Sequence, residues 1–473
     1  MAAPDRYTTD HDVPLRGTRE RRMSLVTETL ARAAVTGTAF PPKAKCPDFP
    51  LATFFYMDAA PSDEDLMDTM RRIVSFDRLR SKVVSTGKKG RFQWSEMDNA
   101  EERLMDHVSR REVSSESKLR DAMDQLLLTP LDVDKPLWDI TVLTLCDGAT
   151  WNPSPGGPDR KPPVVCVRVS HAIGDGISLV SILNRMCGGD VETVDFKRRA
   201  NTSYSLSACV SNPMKILYFF VWVFNCIYAV ITAVGTPFGP HDSKTAFCDT
   251  SKKVVYSGKR TMVNCPGFAL SDLKEVKTKM GCTVNDVVCA CLAGALHKYQ
   301  EYRSDPRARR SSLVRAAIAI PFLGRAPGAL CNDWTFVSLS LVMGPMSIVD
   351  RLKKTQRRCH LMKSTPGAHA VSALNVVAAK LLGPSFQSDT IYDFMSRHSM
   401  VFTNVPGPTA PVTMFRNQVT EMTFGVGNLV NQVSVVSYAG KMGISLVVDP
   451  DEVPDAHLIG DYFREELDAL LRL

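Results

Sequence analysis

Short apolar runs alternate with amphipathic stretches through the first half of the chain. Leu51–Met57 (LATFFYM) is apolar at almost every position and predicts a buried strand. Ser62 follows shortly, with acidic residues after it and then apolar residues at helical spacing, which predicts a helix that starts there. The β-branched run Val164–Val169 (VVCVRV) predicts another buried strand, and residues 177–183 predict the helix that follows it.

The second half continues this mixture with longer elements. Residues 268–280 are amphipathic and stop at Gly281, a residue type that commonly ends helices, and residues 284–299 predict an apolar helix. Strands are predicted at residues 315–321, 336–343, 432–438 and 442–448, and a closing amphipathic helix at residues 455–473. Strands and helices mixed in both halves predict an α/β or α+β protein of two similar-sized lobes.

One stretch differs from the rest because it lacks charge. Residues 216–240 contain no charged side chain, and residues 216–234 are apolar except for tyrosine, Asn225 and Thr232. At 1.5 Å per residue, a helix of this length roughly matches the ~30 Å hydrocarbon core of a bilayer. Two interpretations remain open: a helix associated with a membrane, or a helix buried against the lobes of the protein itself.

These patterns divide the chain into four parts. Residues 1–44 are expected to form a flexible N-terminal arm, because residues 1–22 are polar and lack the apolar segment of a signal peptide. We expect an N-terminal lobe at residues 45–205 and an apolar, membrane-associated connector at residues 206–245. A C-terminal lobe is expected at residues 246–473.

Composition restricts the class of protein further. The 473 residues are 44% apolar and 23% charged, as in folded globular proteins. The net charge of +7 suits a phosphate-bearing substrate or an acidic membrane surface, and it does not predict nucleic-acid binding. Thirteen scattered cysteines without a CxxC pair predict free thiols in a reducing compartment, and neither a disulfide framework nor a metal site.

The candidate chemistry lies where the strand at Val164–Val169 meets the next helix. His171 follows the end of the strand, Asp175 lies four residues on, and Gly174 and Gly176 leave room for a ligand to approach the backbone. A histidine held there can act as general base toward a hydroxyl group, because imidazole titrates near neutral pH. The alternative is a packed histidine in a tight turn, with Asp175 as an ordinary helix cap. The chain has no G-x-S-x-G motif, which favours direct transfer between two bound substrates over a covalent enzyme intermediate.

The segment SHAIGDG at residues 170–176 resembles the HHxxxDG motif of the wax ester synthase/diacylglycerol acyltransferase family. That family belongs to the CoA-dependent acyltransferases that are similar to chloramphenicol acetyltransferase. Further segments resemble hallmarks of the family in the same order: PLDVDKPLWD at residues 130–139, TVNDVV at residues 283–288 and FTNVPGP at residues 402–408. The chain departs from the first motif at Ser170, where the family commonly has another histidine.

The resemblance implies two chloramphenicol acetyltransferase-like lobes, each a mixed sheet with helices, and an active-site tunnel at their junction. It implies acyl-CoA as co-substrate, no permanently bound cofactor or metal, and a long-chain fatty alcohol or a diacylglycerol as acceptor. His171 would take the hydroxyl proton as general base, and Asp175 would support the turn structurally. Such an enzyme is expected to be membrane-associated, at the cytosolic face of the endoplasmic reticulum or a similar membrane.

Two asparagines in the family motifs are candidates for the remaining polar roles. Asn285 is the candidate donor to the developing oxyanion, and Asn404 is the second candidate, placed among the substrate-binding residues. Asn285 could instead belong to a helix cap beside Thr283, and Asn404 could be a turn residue ahead of the Pro-Gly pair.

Two other functions stay open. The chain could be an acyltransferase of the same superfamily that acts on a small soluble alcohol or amine, which the apolar stretch at residues 216–234 argues against. It could also be a non-catalytic membrane lipid-binding relative, for which Ser170 is the supporting feature. A single membrane crossing by the apolar stretch would place His171 and the later motifs on opposite faces, so we expect the stretch to lie in one leaflet.

Overall fold

The computed structural model describes residues 13–14, 20–40, 43–87, 91–149, 151, 161–189, 213–250, 254–322, 329–382 and 384–473. The strands of this part of the chain are β1 (Val13–Pro14), β2 (Glu20–Arg22), β3 (Leu51–Met57), β4 (Ser81–Ser85), β5 (Phe92–Glu96), β6 (Val108–Val113), β7 (Trp138–Leu145), β8 (Val164–Val169), β9 (Thr261–Asn264), β10 (Phe268–Ala269), β11 (Arg315–Pro321), β12 (Trp334–Ser340), β13 (Met400–Pro406), β14 (Thr413–Met414), β15 (Asn417–Val426), β16 (Asn431–Tyr438) and β17 (Lys441–Val448). The helices are α1 (Leu25–Thr36), α2 (Asp63–Ile73), α3 (Glu116–Leu128), α4 (Gly176–Met186), α5 (Pro213–Gly235), α6 (Leu270–Met280), α7 (Val284–Tyr302), α8 (Ile348–Ser364), α9 (Gly367–Leu382), α10 (Pro384–Met395) and α11 (His457–Leu471).

Two mixed sheets form the centres of two lobes. The N-terminal sheet has the order β14-β15-β3-β8-β7-β6, with β6 and β7 parallel and the other neighbours antiparallel. The C-terminal sheet has the order β10-β17-β16-β13-β11-β12, with β9 beside β17, and its strands β11, β13 and β16 run parallel. A small sheet, β1-β2-β5-β4, lies apart from both. The predicted lobes of mixed sheet and helices are confirmed.

The buried apolar side chains of the described ranges form one large cluster in each lobe, a third cluster between α3 and the N-terminal sheet, and a smaller cluster between the lobes. In the C-terminal lobe the cluster surrounds α7, which is buried on nearly all sides. In the N-terminal lobe it lies between the sheet and the helices α2 and α4. The smaller cluster includes Phe40, Phe49 and Tyr392 and fastens the chain ahead of β3 to the C-terminal lobe.

The expected boundary between the lobes is wrong in one respect. β14 and β15 fall within the expected C-terminal lobe at residues 246–473, yet they belong to the N-terminal sheet. β15 pairs antiparallel with β3, from Val426 opposite Leu51 to Val419 opposite Met57. The apolar face of β15 completes the core on this sheet, and such pairing between distant segments cannot be deduced from their order in the chain.

The expected flexible arm at residues 1–44 is also wrong over the part that forms helix α1. Ser24 caps this helix by accepting a hydrogen bond from the amide of Thr27 at 3.2 Å. Thr27 and Ala31 are completely buried, because small side chains allow the helix to pack closely against α10 and β5. Residues 1–12 and 15–19 lie outside the described residues.

The expected connector at residues 206–245 contains the long helix α5, and residues 206–212 lie outside the described residues. Within the described ranges, no single helix is long and apolar enough to cross a membrane. The helices α6 and α7 meet that test of length and composition only as a pair bent by 102°. Shorter apolar stretches occur at Phe220–Thr232 in α5 and at Gly367–Val377 in α9, and these two helices pack against each other.

The elements predicted around the candidate chemistry are confirmed. Leu51–Met57 and Val164–Val169 are buried strands. Ser62 caps α2, and the Asp65 side chain accepts from the Ser62 amide in return. The strand expected at residues 336–343 instead runs over Trp334–Ser340. The cysteines of the described ranges are all unpaired.

Candidate active site

His171 lies in a tight turn that follows the central strand of the N-terminal sheet. β8 is buried along its whole length between β3 and β7, so its C-terminal end is fixed. The Ser170 amide donates to the carbonyl of Leu137 at 2.9 Å, and the Ser170 hydroxyl accepts from the Ala172 amide at 3.2 Å. Ser170 therefore supports the turn in the position where the family commonly has a histidine.

The backbone of this turn is held from outside by two side chains. The Asn332 side-chain amide donates to the carbonyl of His171 at 2.9 Å. The Arg78 guanidinium donates to the carbonyls of Ile173 at 2.9 Å and Ala172 at 3.3 Å. Because Asn332 is 2% exposed and Arg78 is 4% exposed, these bonds are shielded from water and restrict the position of His171.

Asp175 ends the turn and starts helix α4. One carboxylate oxygen accepts from the amide of Ser178 at 3.0 Å and from its hydroxyl at 3.1 Å, which makes Asp175 the helix cap. The other oxygen accepts from the Asp333 amide at 3.2 Å, and the Asp175 amide donates to the carbonyl of Cys331 at 3.1 Å. Asp175 thus links the turn to the C-terminal half of the chain, which agrees with a structural role.

The surroundings of His171 favour the neutral imidazole. Removal of the ring from water lowers its pKa from 6.5 to about 4, and the nearby negative charge of Asp175 offsets only part of this effect. Nδ1 is buried and has no hydrogen-bond partner among the described residues, which leaves Nε2 as the nitrogen available to a bound hydroxyl group. A neutral ring at pH 7 can accept a proton immediately.

A cavity of ≈ 220 Å³ lies between the lobes and contains His171 in its wall. Its lining is mainly apolar and comes from both lobes, with Leu51, Val180 and Phe424 in the N-terminal lobe and Phe336 and Val401 in the C-terminal lobe. The expected site at the junction of the lobes thus corresponds to an observed cavity.

The structure brings Asn285 and Asn404 together. The Asn404 side-chain amide donates to the carboxamide oxygen of Asn285 at 2.6 Å. Asn404, on β13, lines the cavity that contains His171, whereas Asn285 is exposed and is absent from the cavity wall. Thr283 and Asp286 form the cap of α7, so the Asn285 side chain does not serve as the cap. The oxyanion role of Asn285 stays a prediction, and Asn404 is nearer to the cavity.

Both glycines of the turn were expected to bind substrate, but only Gly176 lines the cavity. Gly174 does not leave room for a ligand, because a Cβ atom there would lie 2.3 Å from Cβ of Ser178. It is glycine because α4 packs closely against the turn, and it is not among the residues that line the cavity, so its assignment as a substrate-binding residue stays a prediction. Gly176 lines the cavity, and a Cβ atom there would meet its nearest neighbour, Val405, at 4.0 Å.

The PLWD segment at residues 136–139 packs within the N-terminal lobe. Trp138 is 2% exposed and its indole nitrogen donates to the carbonyl of Leu79 at 2.8 Å. Asp139 pairs with the guanidinium of Arg168 at 2.5 and 2.8 Å.

Sequence reasoning missed three residues at this site. Arg78 and Asn332 hold the turn of His171 through bonds that cross 95 and 161 residues of sequence, respectively, and no local pattern indicates such contacts. Asp48 lines the cavity with His171, and burial raises the pKa of its carboxyl to about 7. The sequence feature that could have identified Asp48 is its position between Pro47 and Pro50, directly ahead of a buried strand.

A second, smaller cavity adjoins the first beneath α4, and its lining is also apolar. It shares Leu179, Val180, Val405 and Phe424 with the first cavity, and its other walls are formed by apolar side chains of β8, α4 and β15. No cluster of three or more His, Cys, Asp or Glu side chains able to hold a metal ion occurs in the described ranges.

The chain is similar in sequence to known acyltransferases. The family model WS/DGAT C-terminal domain matches residues 330–471. The chain is 23% identical over 403 residues to wax ester synthase/diacylglycerol acyltransferase 4 of Arabidopsis thaliana, and the match covers 76% of this chain and 73% of the relative.

Solved structures with the same fold include a wax ester synthase/diacylglycerol acyltransferase from Marinobacter aquaeolei VT8. It has a TM-score of 0.53 and 18% identity, and the match covers 89% of this chain and 93% of that chain. A trichothecene 15-O-acetyltransferase from Fusarium sporotrichioides has a TM-score of 0.60 and 9% identity, with 98% of both chains covered. At these identities the structures establish the fold, which is the predicted pair of chloramphenicol acetyltransferase-like lobes.

Proposed function

Since the chain belongs to the wax ester synthase/diacylglycerol acyltransferase family, we propose that it transfers an acyl group from acyl-CoA to the hydroxyl group of a lipid alcohol. The observation that carries the proposal is the shared cavity: His171 of the N-terminal lobe and Asn404 of the C-terminal lobe line one apolar space. A fatty alcohol would give a wax ester, and a diacylglycerol would give a triacylglycerol. Acyl-CoA is a co-substrate in this proposal, with no permanently bound cofactor.

The chemical step needs one group that moves a proton in both directions. The neutral His171 ring takes the proton of the acceptor hydroxyl while the alcohol oxygen attacks the thioester carbonyl. When the tetrahedral intermediate collapses, the carbon–sulfur bond breaks and the imidazolium returns the proton to the departing CoA thiolate. The lowered pKa of His171 supports this role, because the ring starts in its basic form at neutral pH.

The negative charge on the former carbonyl oxygen needs a hydrogen-bond donor. We propose Asn404 as this donor, and its position on the cavity wall supports the proposal. Asn285 fixes the Asn404 carboxamide through the 2.6 Å bond and thereby limits its rotation. A fixed donor of this kind is worth about 3 kcal/mol in enzymes where one has been removed.

The hydrocarbon chains of the substrates need water-free space near the reacting atoms. The two adjoining cavities supply it, since the side chains that they share are apolar. Each methylene group buried there contributes about 0.8 kcal/mol to binding. Long-chain substrates are therefore favoured over small soluble ones, which is the main argument against an acyltransferase for a small alcohol or amine.

The helices α5 and α9 form an exposed apolar surface that suits a membrane. On α5 the exposed large side chains follow one face at helical spacing: Phe220, Phe224, Ile227, Tyr228 and Ile231, each at least 53% exposed. On α9 the exposed apolar residues are Leu374, Val376, Val377, Leu381 and Leu382. We call these ten residues the apolar platform. Many exposed large apolar side chains on two helices that pack against each other are typical of contact with another apolar phase.

A basic helix adjoins the apolar platform. The exposed side chains of α8 include Lys353, Lys354 and Arg357, and its first turn contains one acid, Asp350. Near its end, the Ser364 carbonyl accepts from the indole nitrogen of Trp222 on α5 at 3.4 Å. Apolar side chains beside basic ones match the layers of an anionic membrane surface, with acyl chains beneath phosphate groups.

These features support a position on one leaflet, at the cytosolic face of the endoplasmic reticulum or a similar membrane. α5 lies in the chain between His171 and Asn404, which line the same cavity. A helix that crossed the bilayer once between them would separate the two residues by the membrane. An interfacial helix keeps both lobes on one side.

The proposed function is tested with the purified full chain and a labelled acyl-CoA. Hexadecanol, a diacylglycerol and a small soluble alcohol are offered separately, and the ester products are identified by chromatography and mass spectrometry. We expect ester from hexadecanol or from the diacylglycerol at a rate well above that from the small alcohol. A preference for the small alcohol would support the superfamily alternative, and binding without turnover would support a non-catalytic lipid-binding protein.

A further inference from the structure

Asp48 places a carboxyl group in the wall of the cavity that contains His171. The same residue lines a smaller void together with Ser170, so it lies beside the turn that carries the catalytic candidate. The other acidic residue of the cavity wall, Asp175, is engaged in the helix cap and in the bond to the Asp333 amide. Within the described residues the Asp48 carboxyl has no hydrogen-bond partner, and no ion pair reaches it.

The position of Asp48 is fixed on both sides. The carbonyl of Cys46 accepts from the Ala39 amide at 2.8 Å. The Phe49 ring is 4% exposed and lies edge-on to Tyr256 at 5.3 Å between ring centres. It also packs against Gly427 so closely that a Cβ atom on that glycine would lie 2.6 Å from the ring. The chain on both sides of Asp48 is therefore held in place, which keeps this residue in the cavity wall.

The carboxyl is left in an unfavourable environment. Loss of hydration alone raises its pKa to about 7, because no charged neighbour compensates. Other polar side chains of the cavity wall are paired within the protein: Asn428 donates to Gln432, Gln432 donates to Thr403, and Ser388 donates to the Ala39 carbonyl. A polar group without a partner in an apolar cavity is costly unless a ligand supplies the missing bond.

We propose that the Asp48 carboxyl binds a second hydroxyl group of the acceptor lipid, one other than the hydroxyl group that is esterified. The inference rests on the proposed function and ranks its acceptors: a lipid with two hydroxyl groups, such as a long-chain 1,2-diol or a monoacylglycerol, binds better than one with a single hydroxyl group, such as hexadecanol. A hydroxyl group both donates and accepts, so it pairs with the carboxyl in its ionised and its protonated form. A protonated amine would instead form an ion pair with the ionised carboxyl, so an amino alcohol tests whether the site selects a hydroxyl group or a cation.

The test compares 1,2-hexadecanediol, hexadecanol and 2-amino-1-hexadecanol as acceptors for the full chain at saturating acyl-CoA. We measure kcat and KM for the wild type, Asp48→Asn, Asp48→Leu and, as an exposed control, Asp147→Leu. The wild type and the control should prefer the diol to hexadecanol by about tenfold in kcat/KM, mainly through KM, as one hydrogen bond to a charged group provides. Asp48→Leu should abolish this preference, so that the ratio of kcat/KM for the diol to kcat/KM for hexadecanol falls to about one, and Asp48→Asn should retain part of the preference.

Each other outcome has a definite meaning. A wild type without diol preference, a preference that survives in Asp48→Leu, or a preference for the amino alcohol would overturn the inference and leave the acyltransferase function intact. Acylation of the diol by the wild type, with no ester formed from hexadecanol or from the amino alcohol, would support the inference in its strongest form. The absence of ester from every acceptor would overturn the proposed function, and the inference with it.

Discussion

At the scale of single residues, the buried position of His171 sets the pH range in which it can act. Its pKa of about 4 predicts that kcat/KM rises through an acid limb near pH 4 and reaches a plateau below pH 6.5. The measurement is the rate of ester formation between pH 3.5 and 8 at a fixed acyl-CoA concentration. An acid limb centred near 6.5 would instead show that the working base is exposed to water.

The same pKa predicts a loss of stability in acid. Because the pKa of His171 is lower in the folded protein than its ordinary 6.5, the unfolded chain binds the proton more readily. The resulting stability is present above pH 6.5 and is lost as the pH falls from 6.5 toward 4. Between those limits the unfolding free energy of the wild type should therefore decrease more than that of His171→Ala.

The two glycines of the turn provide a matched pair of substitutions. Gly174→Ala forces a Cβ atom to within 2.3 Å of the Ser178 Cβ, and Ser178 cannot move because its hydroxyl bonds Asp175 and Cys331. Such overpacking typically costs about 1–3 kcal/mol, so the melting temperature should fall by several degrees. Gly176→Ala is the control, because its nearest contact is 4.0 Å away, and it should unfold near the wild-type temperature. Equal melting temperatures for the two variants would contradict this account of the turn.

At the scale of elements, Asp175 is the connection between α4 and the segment of residues 331–333. Asp175→Ala removes the helix cap and the bond from the Asp333 amide, so stability should fall by about 1–2 kcal/mol together with activity. Asp175→Asn keeps a capping oxygen and should recover much of the stability. Thermal unfolding and ester formation are measured in parallel. An Asp175→Ala protein that is as stable as the wild type and yet inactive would argue for a direct chemical role.

The apolar platform predicts membrane binding that depends on two kinds of side chain. Phe224→Ser with Ile231→Ser should weaken binding to phosphatidylcholine/phosphatidylserine vesicles by at least about tenfold, because each removes a large exposed apolar group from the contact. Val255→Ser with Tyr302→Ser is the control, since these residues are equally exposed but lie elsewhere on the surface. Unchanged co-sedimentation of the first variant with vesicles would remove the platform as the membrane contact.

The elements also show how far the sequence alone can predict this protein. Leu51–Met57 and Val164–Val169 were predictable because a strand buried on both faces has a continuous apolar sequence. The pairing of β15 with β3 was not predictable, because it joins segments more than 350 residues apart and depends on which sheet edge is free. The role of Asn332 was not predictable for the same reason, because its bond to the His171 carbonyl joins residues that are 161 positions apart.

At the scale of the whole molecule, the two lobes depend on each other. The C-terminal half supplies β15 to the N-terminal sheet, Asn332 to the turn of His171 and Asn404 to the cavity wall. The motif at residues 170–176 predicts the position of the proposed base, whereas the cavity exists only where the lobes meet. The function therefore belongs to the assembled molecule and to neither lobe alone.

The most direct test of the central claim is ester formation by His171→Ala, measured beside the wild type and His457→Ala, an exposed histidine at the start of α11. Labelled acyl-CoA and the acceptor that the wild type uses best are supplied, and thermal unfolding is recorded for all three proteins. Loss of a general base predicts a decrease of at least about 10²-fold in His171→Ala, with a melting temperature close to that of the wild type and full activity in His457→Ala. A His171→Ala protein that remains within a few-fold of wild-type activity would contradict the assignment of His171 as the base at the cavity between the lobes.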